Sequence, residues 1–322
     1  MIRRTLACAL VCCGVVGAGS ALAQAFPAKP IRMVVGFAAG GSTDKLARVL
    51  AQRMTETIGQ QVIVDNRPGA AGNVAAELVA AAPPDGYTVF MATLSSQAIN
   101  PHLYKLKFDP VKSFEPITLV AKYPLLLVVP PQLGVNNVQD LVAYARANAG
   151  KTFFASSGSG SPAHLAGEIF KGVTGTDVKH VPYKGGGPAM MALMANEVQF
   201  GFETIPSAIG HSRSGKLKGL GVTSDKRSTA APDLPTMQEV GLKNFSVTSW
   251  AGLLAPAGTP RDVMAKLTEA TIAAMNSPAV KSALASDGAE PGGGTPAEFA
   301  RFMAEEIKAW GEVVRASGAK VD

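Results

Sequence analysis

The sequence predicts an α/β protein of two domains, each a mainly parallel sheet flanked by helices. Short apolar runs alternate with stretches whose apolar residues recur at helical spacing. The connections are brief and rich in Gly, Pro, Ser and Asn. Roughly 300 residues remain after an N-terminal leader, a length that suits two cores better than one.

Ile31 to Phe37 is the first buried strand, ending at the loop Ala38-Ala39-Gly40-Gly41-Ser42-Thr43. A helix follows, with Ser42 or Thr43 as its expected N-cap and Asp44 in the first turn. Leu46, Val49, Leu50, Met54 and Ile58 mark its apolar face, and Gly59 closes it. Gln61 to Asp65 is the second strand. The loop from Asn66 to Gly72 opens an Ala-rich helix that stops at Pro83-Pro84-Asp85-Gly86, and Tyr87 to Ala92 is the third strand. This β-α-β-α-β order belongs to a parallel sheet covered by helices.

A second unit begins at the strand Leu125 to Val129. A helix near 138–148 leads to the strand Thr152 to Ala155, and Ser161-Pro162 opens another helix with Ser as cap and Pro at the first position. Strands are expected at 178–183, 198–203 and 217–223, with helices around 188–196 and 206–214 between them. After Trp250 to Pro256 the chain is largely helical, at 261–276, 278–286 and 297–316. These last helices are expected to pack back on the first domain.

The N-terminus reads as a signal peptide over residues 1–25: Arg3 and Arg4, an apolar stretch from Leu6 to Ala18, then small-x-small sites ending at Ala23 and Ala25. All three cysteines, Cys8, Cys12 and Cys13, lie inside it. The rest of the chain therefore offers no disulfide, thiolate nucleophile or Cys-ligated metal. The formal net charge is +6, of which Arg3 and Arg4 supply two, and Lys and Arg never form a run. That composition argues against a nucleic-acid partner.

Two loops carry the strongest chemical signal. One runs from Phe37 to Asp44 and the other from Ser156 to Ser161. Each puts glycine, hydroxyls and free N–H groups at a predicted helix start, where the macrodipole favours an anion. One loop per domain fits a cleft that clamps an anion from both sides. The loop Thr93-Leu94-Ser95-Ser96 follows the third strand at the same edge and adds hydroxyls.

Enzymatic constellations are thin. Ser157-Gly158-Ser159-Gly160 has its glycines misplaced for a nucleophile elbow. Gly185-Gly186-Gly187 runs into Pro188 rather than a Walker Lys, and residues 36–41 lack the dinucleotide spacing. His102, His164, His180 and His211 are never paired at metal-ligand spacing, so no metal or cofactor is expected. A hydrolase using Ser157 or Ser161 with His164 is the remaining enzymatic option. Glu203 and Asp44 read as a loop-end acid and a helix-start charge rather than as a catalytic pair.

Several blocks together resemble the Bug-type periplasmic receptors of tripartite tricarboxylate transporters. They are Gly40 to Asp44 with Ala47-Arg48, Val64 to Asn73, Pro84 to Thr88, Ser156-Ser157-Gly158 with His164 to Glu168, Val181 to Gly185, and Leu254 to Pro260. The resemblance runs from about Phe26 to the C-terminus, in family order and spacing. It implies a two-lobed type II periplasmic binding fold, with lobe one at 26–124 plus 225–322 and lobe two at 125–224. It implies a small organic carboxylate as ligand: a di- or tricarboxylate, an aromatic acid or an acidic amino acid. Carried over, the ligand contacts are Phe37, Ala39, Gly41, Ser42, Thr43, Thr93, Ser95 and Ser96 from one lobe. Ser157, Ser161, His164 and Glu203 come from the other.

The expected protein is a periplasmic, non-enzymatic monomer that hands its ligand to the transporter's membrane permease subunits. The alternative is an adaptor that presents the bound carboxylate to a membrane sensor kinase. The sequence departs from the family at Gly36 and Ala39, where Pro is frequent, at Glu203, where Asp is frequent, and at Pro162, which replaces a small polar residue.

Overall fold

The computed structural model describes residues 26–286 and 288–321. The predicted leader, its cleavage positions and the cysteines lie outside the described residues. β1 (Ile31–Val35), α1 (Ser42–Ile58), β2 (Val62–Asn66), α2 (Asn73–Ala80) and β3 (Thr88–Thr93) follow in order. The three strands are parallel, in the order β2-β1-β3, with Met33 opposite both Val64 and Val89. α1 starts one residue earlier than the hydroxyls suggested. Its N-cap is Gly41, in an extended conformation without any side-chain cap, and Ser42 and Thr43 are already helical. Residues 95–99 form a wide helical turn rather than the open loop expected there.

β4 (Phe114–Val129) is 16 residues long and ties the molecule together. α3 (Val138–Ala147), β5 (Thr152–Ser156), α4 (Pro162–Thr174), β6 (Val178–Pro182), α5 (Gly186–Met194), β7 (Phe200–Thr204), α6 (Ile205–Arg213) and β8 (Lys218–Val222) build the second lobe. There β6, β5 and β7 run parallel, and β4 enters antiparallel between β7 and β8. The chain returns through β9 (Thr248–Pro256), α7 (Arg261–Asn276), α8 (Pro278–Ser286), β10 (Glu290–Gly293) and α9 (Pro296–Ser317).

β4 pairs with β9 from Phe114 to Pro124, then with β7 from Leu125 onward, so the sheet changes lobes at Pro124–Leu125. The sequence reading located only the Leu125 half of this strand. Pro116 and Pro124 hid the rest, since proline withholds a ladder N–H. Here Pro116 sits at a register shift against β9, and Pro124 sits where one set of partners ends. β10 was also missed; Pro291, Gly292 and Gly293 are poor strand formers, yet it pairs with β4 at Leu119 and Lys122.

Strand alternation sorts the core into layers. Ile31, Met33, Val35, Met91 and Leu253 face α1, α7 and α8. Val34, Phe90 and Leu254 face the other way, toward α2 and α9, and join a cluster that continues into Leu127, Phe154, Phe200 and Phe202 of the second lobe. α5 and α6 cover that lobe's far side over Leu126, Val128 and Ala155. Leu50 and Met54 of α1 are fully buried, each worth about 1.5–3 kcal/mol against exposure.

At the crossing, Leu125 N–H donates to Thr223 Oγ1 at 2.8 Å and Thr223 Oγ1 donates to the Val247 carbonyl at 2.6 Å. One buried hydroxyl thus joins the outgoing strand to the returning chain.

Candidate functional site

Side chains of β4 and β9 alternate across the crossing ribbon, so cavities lie on both its faces. Tyr123 pairs with Ser249, and both line a small, closed cavity between the lobes. Their neighbours Lys122, Trp250, Pro124 and Thr248 line a larger cleft on the opposite face, with about 1130 Å³. The larger cleft holds none of the residues expected to bind ligand. Its inward carboxylate, Glu306, already accepts from the indole N–H groups of Trp250 and Trp310. The smaller cavity has the convergent, unsatisfied polar groups that a ligand site needs.

Four side-chain atoms lining that cavity make no well-formed hydrogen bond: Thr93 Oγ1, Ser95 Oγ, Tyr123 OH, which has Thr43 and Ser249 beside it, and Glu203 Oε1, whose carboxyl has Ser157 beside it. Their residues are only 1–5% exposed, so bulk water does not satisfy them. A buried polar atom left alone costs about 1–3 kcal/mol, so four underbonded ones in one place are a cluster able to receive a polar ligand.

The first turns of three helices also line it. Gly41, Ser42 and Thr43 come from α1, Gly186 from α5, and Thr204 and Ser207 from α6. None of these helices has a side-chain cap hydrogen bond. Their orphan N–H groups and positive dipole ends favour negative charge. No Lys, Arg or His lines the cavity, and Glu203 is its single carboxylate. The site can therefore hold an anion through dipoles and hydroxyls, without a cationic side chain.

Burial pushes the Glu203 carboxyl up to about 7; Ser157, through its hydroxyl and N–H, and the Thr204 N–H pull it the other way. Burial likewise pushes Tyr123 up to about 12, against the opposing pull of the Thr43 and Ser249 side chains. Asp44 is not part of a carboxylate pair. Burial would raise it, but Arg48, the Gly40 N–H and Asn66 hold it below the ordinary carboxylate range.

Phe37, Gly41, Ser42, Thr43, Thr93, Ser95, Ser157 and Glu203, all singled out in the sequence, line the cavity. Ala39, Ser96, Ser161 and His164 do not. Ala39 is exposed. The Ser96 hydroxyl donates to the Thr93 carbonyl within its own turn. Ser161 is the N-cap of α4, accepting the His164 N–H. His164 Nδ1 accepts the Gly160 N–H, and its ring stacks on His180 at 4.0 Å. The two Gly/Ser loops are thus unequal: the first leaves its helix start uncapped at the cavity, whereas the second caps its own helix and offers Ser157 and Pro162.

Sequence reasoning missed Tyr123, Gly186, Thr204, Ser207 and Ser249. Gly185-Gly186-Gly187 was set aside for lacking a Walker lysine, although a helix start needs none to face an anion. The departure at Gly36 has a local cause: a β-carbon there would stand 2.6 Å from the Gly72 Cα.

Two hydrogen bonds span the cleft. Thr204 Oγ1 donates to Ser42 Oγ at 3.0 Å, and the Tyr104 hydroxyl donates to the Ser159 carbonyl at 2.8 Å.

Among known proteins, the family model described as the tripartite tricarboxylate transporter family receptor matches residues 46–319. BugT of Bordetella pertussis is 39% identical over 302 residues, covering 93% of this chain and 92% of its own. An R. palustris protein solved with adipate is 36% identical with a TM-score of 0.89, covering 92% of this chain and all of that one. MatC from Rhodopseudomonas palustris, solved with bound malate, is 33% identical with a TM-score of 0.86, over 90% of this chain and all of its own.

Proposed function

Because this chain belongs to the tripartite tricarboxylate transporter receptor family, whose members are substrate-binding receptors and not enzymes, we propose that it captures a small organic carboxylate between its lobes and delivers it to the transporter's membrane permease. The carrying observation is the interlobe cavity, where three uncapped helix starts converge on four underbonded buried polar atoms and no cation. A carboxylate accepts hydrogen bonds from orphan N–H and O–H groups and is favoured by their dipoles. Relatives solved with adipate and malate support the same class of ligand.

In this reading Gly41, Ser42 and Thr43 hold the carboxylate from the first lobe, and Ser157, Gly186, Thr204 and Ser207 close on it from the second. Thr93, Ser95 and Tyr123 satisfy the rest of the molecule, and Phe37 covers it. The lobes divide at 124/125 and at 224/225, beside the Thr223 junction, and close by hinge motion at those crossings. Closure would add differential affinity for one state, which the permease can read. The protein acts as a periplasmic monomer after removal of residues 1–25.

Calorimetry and thermal shift against C4 to C6 dicarboxylates, citrate, benzoate, aspartate and glutamate test the proposal. Heat and a raised melting temperature with at least one of them are expected. Silence across the panel between pH 5.5 and 8 would sink it.

A further inference from the structure

Resting on that reading of the cavity, we propose that the receptor binds its carboxylate together with one proton, held on Glu203, whose hydroxyl then donates to a ligand oxygen. Glu203 is 2% exposed, lines the cavity, and has Oε1 without a partner. Oε2 accepts a long bond from the Thr204 N–H, at 3.3 Å, and the Ser157 hydroxyl and N–H also stand beside the carboxyl. Oε1 is thus a buried acceptor left without a close partner in the wall of the cavity.

The electrostatic count decides the protonation state. Each helix N-terminus acts as roughly +0.5 charge, so the starts of α1, α5 and α6 supply about +1.5. A monocarboxylate beside ionised Glu203 would place two negative charges against that, and a dicarboxylate three. Like charges a few ångströms apart in a closed site force one carboxyl to protonate. Glu203 is the group already nearest to neutrality: burial holds it at about 7 even against the pull of Ser157 and the Thr204 N–H.

No basic side chain lines the cavity beside it. From β4 the facing titratable group is Tyr123, neutral at physiological pH. α5 and α6 face the cavity with Gly186 and Ser207, β9 with Ser249, and the segment after β5 with Ser157. On α4, His164 is bonded to Gly160 and stacked on His180, itself held neutral by burial and by the neighbouring His164. On α1, the Asp44 carboxylate is taken up by Gly40, Arg48 and Asn66, and Lys45 is exposed. His211 of α6 is likewise pushed toward neutrality by burial and by Lys216 and Lys45.

The step balances simply: the Glu203 carboxylate takes one proton from solvent on binding and returns it on release. The neutral acid can donate to a carboxylate or carbonyl oxygen. A ligand ammonium would instead need the ionised form, so the site selects acids whose second polar group is an acceptor. Affinity should fall by about tenfold per pH unit above neutrality, the slope of one linked proton.

The test is calorimetry of the whole mature protein with adipate, malate, citrate and benzoate, in phosphate and in Tris, from pH 6 to 8.5. The free ligands are fully ionised at pH 8, so the buffer dependence of the heat counts protons taken up by the complex. Uptake approaching one proton at pH 8 is expected, together with the tenfold slope. In Glu203→Gln both should vanish, with affinity weakened alike at every pH. Infrared difference spectra of the wild type should gain a protonated-carboxyl band that Glu203→Gln lacks. Binding without proton uptake, or with uptake unchanged in the variant, overturns the proposal and leaves the carboxylate reading standing. No binding by any of the four at any pH overturns both.

Discussion

A β-carbon on residue 186 would stand 2.8 Å from Oε2 of Glu203 and 3.0 Å from Ser207 Oγ, so the Glu203 carboxyl occupies its place because residue 186 is glycine. The strand end that carries the acid and the helix start that faces it are thereby matched in shape.

Gly186→Ala separates binding from stability. The obstructed atom is the far end of a flexible side chain, and alanine suits a first helical turn at least as well as glycine. The melting temperature should stay within a few degrees of wild type. Affinity for the best carboxylate should fall by about tenfold, because a displacement of well under an ångström misplaces hydrogen bonds that depend on direction. Paired thermal melts and calorimetry check this.

Tyr104→Phe removes the donor to the Ser159 carbonyl from a residue that does not line the ligand cavity. A single hydrogen bond contributes about 0.5–1.5 kcal/mol. It is present only when the lobes meet, so affinity should drop roughly two- to tenfold. Small-angle scattering of the ligand-free protein should shift toward the open form, with the stability to urea nearly unchanged.

Thr223→Val acts on the crossing. It leaves the buried Leu125 N–H without its acceptor and the Val247 carbonyl without its donor. Unfolding in urea should show a loss of about 1–3 kcal/mol. An unchanged midpoint would mean that the crossing rearranges to find other partners.

Two groups shifted in opposite senses give ligand-free stability opposite pH slopes. Glu203 titrates at about 7 in the folded protein against 4.5 for an ordinary Glu, so the folded state holds more protons between those values. Stability from this group is full below 4.5 and is lost as pH rises toward 7, by up to about 3 kcal/mol. His180, pushed down to about 3 by burial and by His164, works the other way. It costs nothing above 6.5 and removes stability as pH falls below that. Glu203→Gln removes the Glu203 slope and leaves the others in place. Urea titrations at pH 5 and 8 should therefore find the variant gaining on wild type at pH 8, and equal differences at both pH values would refute the assignment.

Much of the frame was legible because it rests on local chemistry. The strand at Met33 and Val35, the helix face at Leu46, Leu50 and Met54, and the Ser161-Pro162 helix start are each written within a few residues. β4 was half hidden because its prolines obey a rule for central strands that a register shift and a change of partners relax. Ser161 and His164 were named as ligand contacts by the family resemblance. The Gly/Ser loop there instead spends its hydroxyl and ring nitrogen on the adjoining N–H groups.

By itself, the sequence determined the α/β class, because apolar periodicity is local and contiguous, and its resemblance to a known family supplied the family and eight residues of the cavity wall. Only the tertiary structure decided that Tyr123 and Ser249 turn to one face of the crossing ribbon and Lys122 and Trp250 to the other. It alone brought Gly186 against Glu203, residues from separate elements whose meeting depends on how the sheet is stacked. The cation-free character of the site arises there too: whether a basic chain shows a charge to its ligand is settled by which side chains the folded lobes point inward, and here they point hydroxyls, helix starts and one acid.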